Sequence, residues 1–286
     1  MNTADRFAQA RPYYAALARW IAARAQPGTP LIVGINGTQA SGKSTLASLL
    51  RQMLEHEHGL RAVVLSIDDF YLARAERARL ARNIHPLLMT RGVPGTHDVA
   101  FARRAIEQLR VLRDGEQLRL PRFIKVNDDR APESDWPACS GAIDLILFEG
   151  WCVGTPPQRD EELATPVNAL EAQEDADGRW RTFVNHELAT GYATLFAMLD
   201  ELVLLQAPGF EVVHSWRLEQ ESGNAKEVAG AAHVMDAGAL RRFIAHYERL
   251  TRHALKVLPD RADVVLKLDA QRRVIETRYP DRVAAT

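Results

Sequence analysis

Cysteine is nearly missing from this sequence: 286 residues hold two, Cys139 and Cys152. Two thiols build neither a disulfide framework nor a cysteine-rich zinc site, and a reducing, cytoplasmic setting is expected. An excess of charge of one sign is missing too. Lysine and arginine number 36 against 37 acids, a net charge of −1 with histidine neutral, so no broad field gathers nucleic acid. No window approaches the roughly eighteen apolar residues of a membrane-crossing helix, so no membrane partner is expected. The opening MNTADRFAQARPYY has no apolar run behind positive charge, and no signal peptide is read there. No internal repeat is visible.

What is present suits one large buried core: 47% of residues are hydrophobic and 26% charged. PYYAALARWIAARA (12–25) reads as a helix inside an N-terminal helical extension, 1–30, closed by QPGTP. Short apolar runs follow at LIVGI (31–35), RAVVLSI (61–67), AIDLILFEG (142–150), LDELVLLQA (around 202–205) and ADVVLKL (262–268). Helical patterns lie between them, notably STLASLLRQMLEHE, DVAFARRAIEQLRVL and ALRRFIAHYERLTRHALKVL, the last with Leu240, Phe243, Ile244, Tyr247 and Leu250 at spacings of three and four. Apolar strands alternating with helices predict an α/β fold, a mostly parallel sheet with helices on both faces. Residues 1–286 are read as a single domain. The polar, proline-bounded stretch 121–137 and the acid-rich stretch 155–181 are read as long loops or insertions at the substrate side or surface.

Ligands of such folds bind beyond the carboxyl ends of the strands, where Gly37, Asp68, Asp69 and Glu149 all fall. GTQASGKS (37–44) matches the phosphate-binding pattern G-x-x-x-x-G-K-S, with an apolar strand before it and a helix after it. The nucleotide-binding set is Gly37, Thr38, Gln39, Ala40, Ser41, Gly42, Lys43, Ser44 and Thr45. Amides of residues 38–43 would curve around the β-phosphate of ATP, and Lys43 would bridge the β- and γ-phosphates. Ser44 would bind Mg2+, and Thr45 would sit at the helix start.

In SIDDFY two carboxylates stand at a strand end, where one can orient and deprotonate an incoming hydroxyl; the alternative is two solvated acids or a helix cap at Asp69. Glu149 is placed to bind magnesium, directly or through water, or to form a structural salt bridge. RGVPGTHD (91–98) offers Arg91 for a substrate anion and His97 or Asp98 for substrate hydroxyls, against plain helix capping. PRFIKVNDDR adds Lys125, Asp129 and Arg130, functional or merely solvated. In HSWRLEQE, Arg217 can neutralise charge growing on a transferring phosphoryl group, with Lys226 assisting, while Trp216 and Leu218 are read as packing. His186, His233, His246 and His253 are read as ordinary helical residues. Cys152 has no base beside it and is not read as a nucleophile.

GINGTQASGKST, SIDDFY, RGVPGTHD, LILFEGWCVG, WRLEQE and FIAHYERLT, in that order, make the chain resemble P-loop small-molecule kinases of the phosphoribulokinase and uridine kinase superfamily. Within it they most resemble the plant-type glycerate kinases and their bacterial and fungal relatives. The resemblance implies the P-loop NTPase fold with a helical lid over 214–250. Asp68 becomes the general base with Asp69 and Tyr71 beside it on the acceptor side, Glu149 the acid of the next core strand, and Arg91 and Asp98 acceptor ligands. Lys43, Asp68 and Arg217 are then the catalytic set. Ala40 stands where these families often have glycine, and Ile124 where glycerate kinases tend to carry an acid. The expected partner is a small-molecule alcohol, glycerate or a related hydroxy acid, with uridine-like and pantothenate-like acceptors and an NTP-hydrolysing switch as alternatives. A monomer or small homo-oligomer is expected.

Overall fold

The computed structural model describes residues 3–227 and 237–280. Among the described residues the strands are β1 (Leu31–Gly37), β2 (Ala62–Ser66), β3 (Gln117–Arg119), β4 (Phe123–Ile124), β5 (Asp129–Arg130), β6 (Ala138–Ser140), β7 (Leu145–Gly150), β8 (Glu201–Gln206), β9 (Val264–Leu268) and β10 (Val274–Arg278). The α-helices are α1 (Thr3–Ala22), α2 (Lys43–His58), α3 (Arg74–Asn83), α4 (Val99–Val111), α5 (Asp160–Leu163), α6 (Ala169–Glu174), α7 (Arg179–Glu187), α8 (Ala193–Phe196), α9 (Glu211–Glu227) and α10 (Ala237–Val257).

Six strands form the central sheet in the order β10-β9-β8-β1-β7-β2, all parallel except β10. The expected α/β architecture, a mostly parallel sheet with helices on both faces, is therefore observed. Strand periodicity explains the two layers. Ile32, Ile146, Phe148, Leu204 and Val265 point to one face and pack with Ala102, Ile106 and Leu109 of α4 and Leu250 and Ala254 of α10. Val33, Ile35, Leu145, Leu147, Val203 and Leu205 point to the other and meet Tyr14, Leu17 and Ile21 of α1 and Leu46, Leu50 and Leu54 of α2. The chain leaves β1 for α2 and β2, then returns through β7 and crosses to β8 on β1's other side. This reversal opens a crevice at the carboxyl ends of β1, β7 and β2.

Four sequence readings change. The first helix does not start at Pro12; it runs from Thr3 with the proline inside, because a buried stripe of Ala10, Tyr14, Leu17, Ala18 and Ile21 carries the helix across it. The 155–181 stretch is no long loop. Its polar side chains act as caps and buried ion-pair partners: Asn168 accepts the Glu171 N–H at the start of α6, and Asp175 accepts the Trp180 and Arg181 N–H groups at the start of α7. Glu171 pairs with Arg249 of α10 at 2.6 Å, both buried. Residues 121–137 hold the β4–β5 hairpin and a 3-10 turn, with β3 paired to β6 beside it. Leu218, expected to pack, is 47% exposed, whereas Trp216 is buried and donates its indole N–H to the Ala270 carbonyl. Strand β10 had no counterpart in the sequence reading, because its Ile275, Glu276 and Arg278 face outward on a sheet edge. The 214–250 stretch covers most of α9 and the first part of α10; His233 and the side chain of Lys226 lie outside the described residues.

Candidate active site

The phosphate loop joins β1 to α2. Gly37 is close-packed: a Cβ there would stand 2.6 Å from Ser41 Oγ and 3.0 Å from Leu205 Cβ. Gly42 opens α2 at φ 97° with no side-chain cap, so the first amides of the helix, from Lys43, Ser44 and Thr45 onward, have no side-chain partner from the cap position. Ala40 also adopts a left-handed conformation, φ 58°, and its carbonyl accepts from Arg272 Nη1 at 3.2 Å. Lys43 Nζ reaches the Thr38 carbonyl at 3.4 Å. Ser41 Oγ and both Gln39 amide atoms are buried without a hydrogen-bond partner. A concave loop of this kind, with amides, an ammonium and unpaired polar atoms, can hold a chain of phosphates.

Strand β7 delivers Glu149 to the same place. It is 4% exposed, and its Oε1 accepts the Ser44 hydroxyl at 2.8 Å. The pairing of Ser66 with Glu149 across β2 and β7 sets the following 3-10 turn, Ile67–Phe70, beside it. That turn carries Asp68. Its Oδ1 accepts the Tyr71 hydroxyl at 2.9 Å and its Oδ2 accepts Lys125 Nζ at 2.6 Å. Burial pushes the Asp68 carboxyl up, but Lys125, and then Lys43, more than offset it and hold it well below the usual carboxylate range. Ser44, Asp68, Asp69, Phe123, Lys125 and Glu149 line one open groove of about 920 Å³.

Asp69 is directed elsewhere: its carboxylate accepts the Phe123 N–H at 3.1 Å and lies 3.6 Å from Arg122, so it fastens the β4–β5 hairpin. Asp98 caps α4, accepting the Phe101 N–H at 2.9 Å, with Arg130 at 3.8 Å. Arg130 also donates to the Tyr71 carbonyl. Arg91 is paired with Asp128. Asp129 accepts the Arg74 and Arg130 N–H groups. Arg217, on α9, donates to Gln220 and lies 5.6 Å from the Phe243 ring centroid. Cys152 is buried, and burial raises its thiol far above the ordinary range, which keeps it unreactive.

Several residues of this network were not singled out from the sequence. Asp128, at φ 53° in the hairpin turn, joins Arg91 to Arg77. Arg77 is wholly buried and also donates to the carbonyls of Leu72, Met89 and Asp128. Tyr192 ends a π-helical turn, Leu188–Tyr192, a form with i→i+5 bonding that is frequent at functional sites. Its hydroxyl oxygen accepts the Gly95 N–H and stands 2.6 Å from His97 Nδ1. Nothing in LATGY announces the π turn, so no local signal points to Tyr192.

His97 stacks on Tyr71, centroids 4.5 Å apart. Its Nδ1 shares a hydrogen bond with the Tyr192 hydroxyl, and its Nε2 is buried and unpaired. Burial pushes the imidazole down to about 4, against the opposing pull of Asp68. The unfolded chain protonates this histidine near 6.5, the folded chain only near 4, so its contribution is complete above that upper value and is lost as pH falls between the two. Denaturant unfolding at about pH 7.5 and pH 5 should therefore show a loss of which roughly 2 kcal/mol disappears in His97→Gln. An equal loss in the variant would contradict the buried neutral ring.

No protein-family profile matches the sequence. It is 37% identical over 201 residues to the uncharacterized kinase mug58 of Schizosaccharomyces pombe, a match covering 68% of this chain and 71% of that protein. It is 30% identical over 199 residues to the chloroplastic D-glycerate 3-kinase of Arabidopsis thaliana, covering 67% of this chain but 41% of that longer protein. Among solved structures, the D-glycerate 3-kinase of Cryptococcus neoformans superposes with a TM-score of 0.74 at 25% identity, over 93% of this chain and 97% of that one.

Proposed function

The chain belongs to the P-loop kinases related to phosphoribulokinase and uridine kinase, and we propose that it transfers the γ-phosphoryl group of ATP to a hydroxyl of a small hydroxy acid of the glycerate type. One observation carries the reading: the carboxylate of Asp68, just beyond the end of β2, shares a groove with Ser44 of the phosphate loop and accepts Lys125 Nζ at 2.6 Å. A hydrolysing switch needs a place for water; a base flanked by a cationic hairpin suits an acceptor that brings its own negative charge. The two relatives named D-glycerate 3-kinases agree with that chemistry.

Lys43 and the loop amides bind and orient the phosphates, and Arg217, from the proposed lid at 214–250, neutralises charge on the transferring group. Ser44 and Glu149 form an oxygen donor set that fits a magnesium ion, which when bound would neutralise phosphate charge. Asp68 orients the acceptor hydroxyl and receives its proton as the oxygen bonds to phosphorus and the bond to the leaving ADP oxygen breaks. Tyr71 holds Asp68 in place, His97 supports Tyr71, and Arg91 and Arg130 shape the acceptor wall.

The test is an ADP-release screen with magnesium and ATP against glycerate, glycerol, pantothenate, pantothenyl alcohol and uridine. Glycerate-dependent ADP formation with a phosphorylated product is expected. ADP release indifferent to every acceptor would replace the kinase by a hydrolysing switch.

A further inference from the structure

Both oxygens of Asp68 already hold a donor. Tyr71 takes Oδ1 at 2.9 Å and Lys125 takes Oδ2 at 2.6 Å. An acceptor hydroxyl that is to be oriented by this carboxylate must displace one of them. The two donors differ in freedom. Tyr71 is 3% exposed, stacked on His97 and met edge-on by Phe123 at 5.1 Å. Lys125 follows the two-residue strand β4 at the hairpin turn, and its side chain is 61% exposed even while it holds Asp68. A flexible four-carbon stem on a hairpin tip is the donor that yields.

The neighbouring cations are differently engaged. Arg91 pairs with Asp128, Arg77 is wholly buried on Asp128, and Arg130 is fixed on the Tyr71 carbonyl near Asp98. Lys125 is bound to the carboxylate read as the base itself. A neutral alcohol offers nothing to draw the ammonium away. An acceptor carrying a carboxylate beside its hydroxyl offers a competing anion, and the hydroxyl can take the oxygen that the ammonium leaves.

Resting on the kinase reading above, we propose that Lys125 recognises the anionic group of the acceptor and that its transfer from Asp68 to that anion unmasks the carboxylate for the acceptor hydroxyl. Recognition and base availability are thereby one event. Hydroxy acids are selected over the corresponding neutral alcohols, and with no acceptor present the ammonium stays on Asp68 and suppresses attack by water.

The full chain is assayed with ATP and magnesium on two matched pairs, glycerate with glycerol and pantothenate with pantothenyl alcohol, as wild type, Lys125→Met and Lys125→Arg. The wild type is expected to favour the acid of its productive pair by about 100-fold or more in kcat/KM. Lys125→Met should lower kcat/KM for the acid by about 100-fold, chiefly through KM, while the alcohol stays level or improves. Acceptor-free ATP hydrolysis should rise several-fold in Lys125→Met, and Lys125→Arg should restore part of the acid preference. An unchanged acid-to-alcohol ratio in Lys125→Met, or hydrolysis no faster than wild type, overturns the role of the lysine and leaves the kinase reading standing. Turnover by the wild type of uridine alone does the same. Failure of the wild type to phosphorylate any acceptor overturns the kinase reading, and unchanged hydrolysis in Lys125→Met then separately removes the masking.

Discussion

Asp68→Asn is expected to lower acceptor phosphorylation by about a thousandfold, within the range that removal of a general base commands, while MgATP affinity changes by no more than a few-fold. The substitution keeps size and shape and removes a negative charge together with the proton acceptor. Its amide would also turn an N–H pair toward either Tyr71 or Lys125, both donors, so the side chain loses its fixed orientation as well as its basicity. In the proposed reaction ATP is held by other groups: the amides of residues 38–43, Lys43 and the Ser44–Glu149 pair. Removing a carboxylate whose field reaches Lys43 leaves that ammonium more available to phosphate. Calorimetry with magnesium and ATP measures the first quantity and steady-state ADP release with the productive acceptor the second. Turnover within tenfold of wild type would assign the base elsewhere, and lost ATP affinity would make Asp68 part of the nucleotide site.

The parts of this arrangement that could be read in advance are those whose cause is local. A buried parallel strand must be apolar along its length and stop at a polar or glycine residue, so β1, β2 and β7 stood out, with Gly37, Asp68 and Glu149 at or just beyond their ends. The phosphate loop is legible because its backbone conformation needs glycines at set places. What stayed hidden depends on partners far along the chain. Glu171 looked like one of many solvated acids until Arg249, 78 positions on, neutralised it in the interior. Lys125 could be read as functional or solvated, but its meeting with Asp68, across 57 positions and through a hairpin too short to signal itself, could not be read. Asp69 and Asp68 are indistinguishable neighbours in sequence; the 3-10 turn sends one to the phosphate side and the other to the Phe123 amide.

RGVPGTHD shows how far a local signal reaches, and it supports a prediction of comparable size on stability. Gly92→Ala is expected to destabilise the protein by about 3–5 kcal/mol, on the order of 10 °C in Tm, and to raise the acceptor KM. Gly92 lies at φ 136°, where an L side chain is strained by about 1–3 kcal/mol. Its added Cβ would stand 1.9 Å from the Tyr247 hydroxyl oxygen and 2.4 Å from the ring carbon bearing it. Tyr247 cannot move aside cheaply. It is 3% exposed, held between Trp151 at 4.8 Å and Phe243 at 5.0 Å, and its hydroxyl donates to the Arg91 carbonyl at 3.0 Å. Overpacking of this kind adds about 1–3 kcal/mol. Any relief shifts the Arg91 backbone, and with it the Arg91–Asp128–Arg77 bridge that holds the hairpin bearing Lys125. Gly28→Ala is the matched control: φ is 77°, and nothing lies within 4 Å of the new Cβ, so strain alone should remain, about 1 kcal/mol, with the acceptor KM unchanged. Thermal melts and acceptor saturation curves of the two variants decide the matter. If Gly92→Ala melts no lower than Gly28→Ala, the tyrosine is not a fixed wall, and the coupling from this loop to the acceptor side is absent.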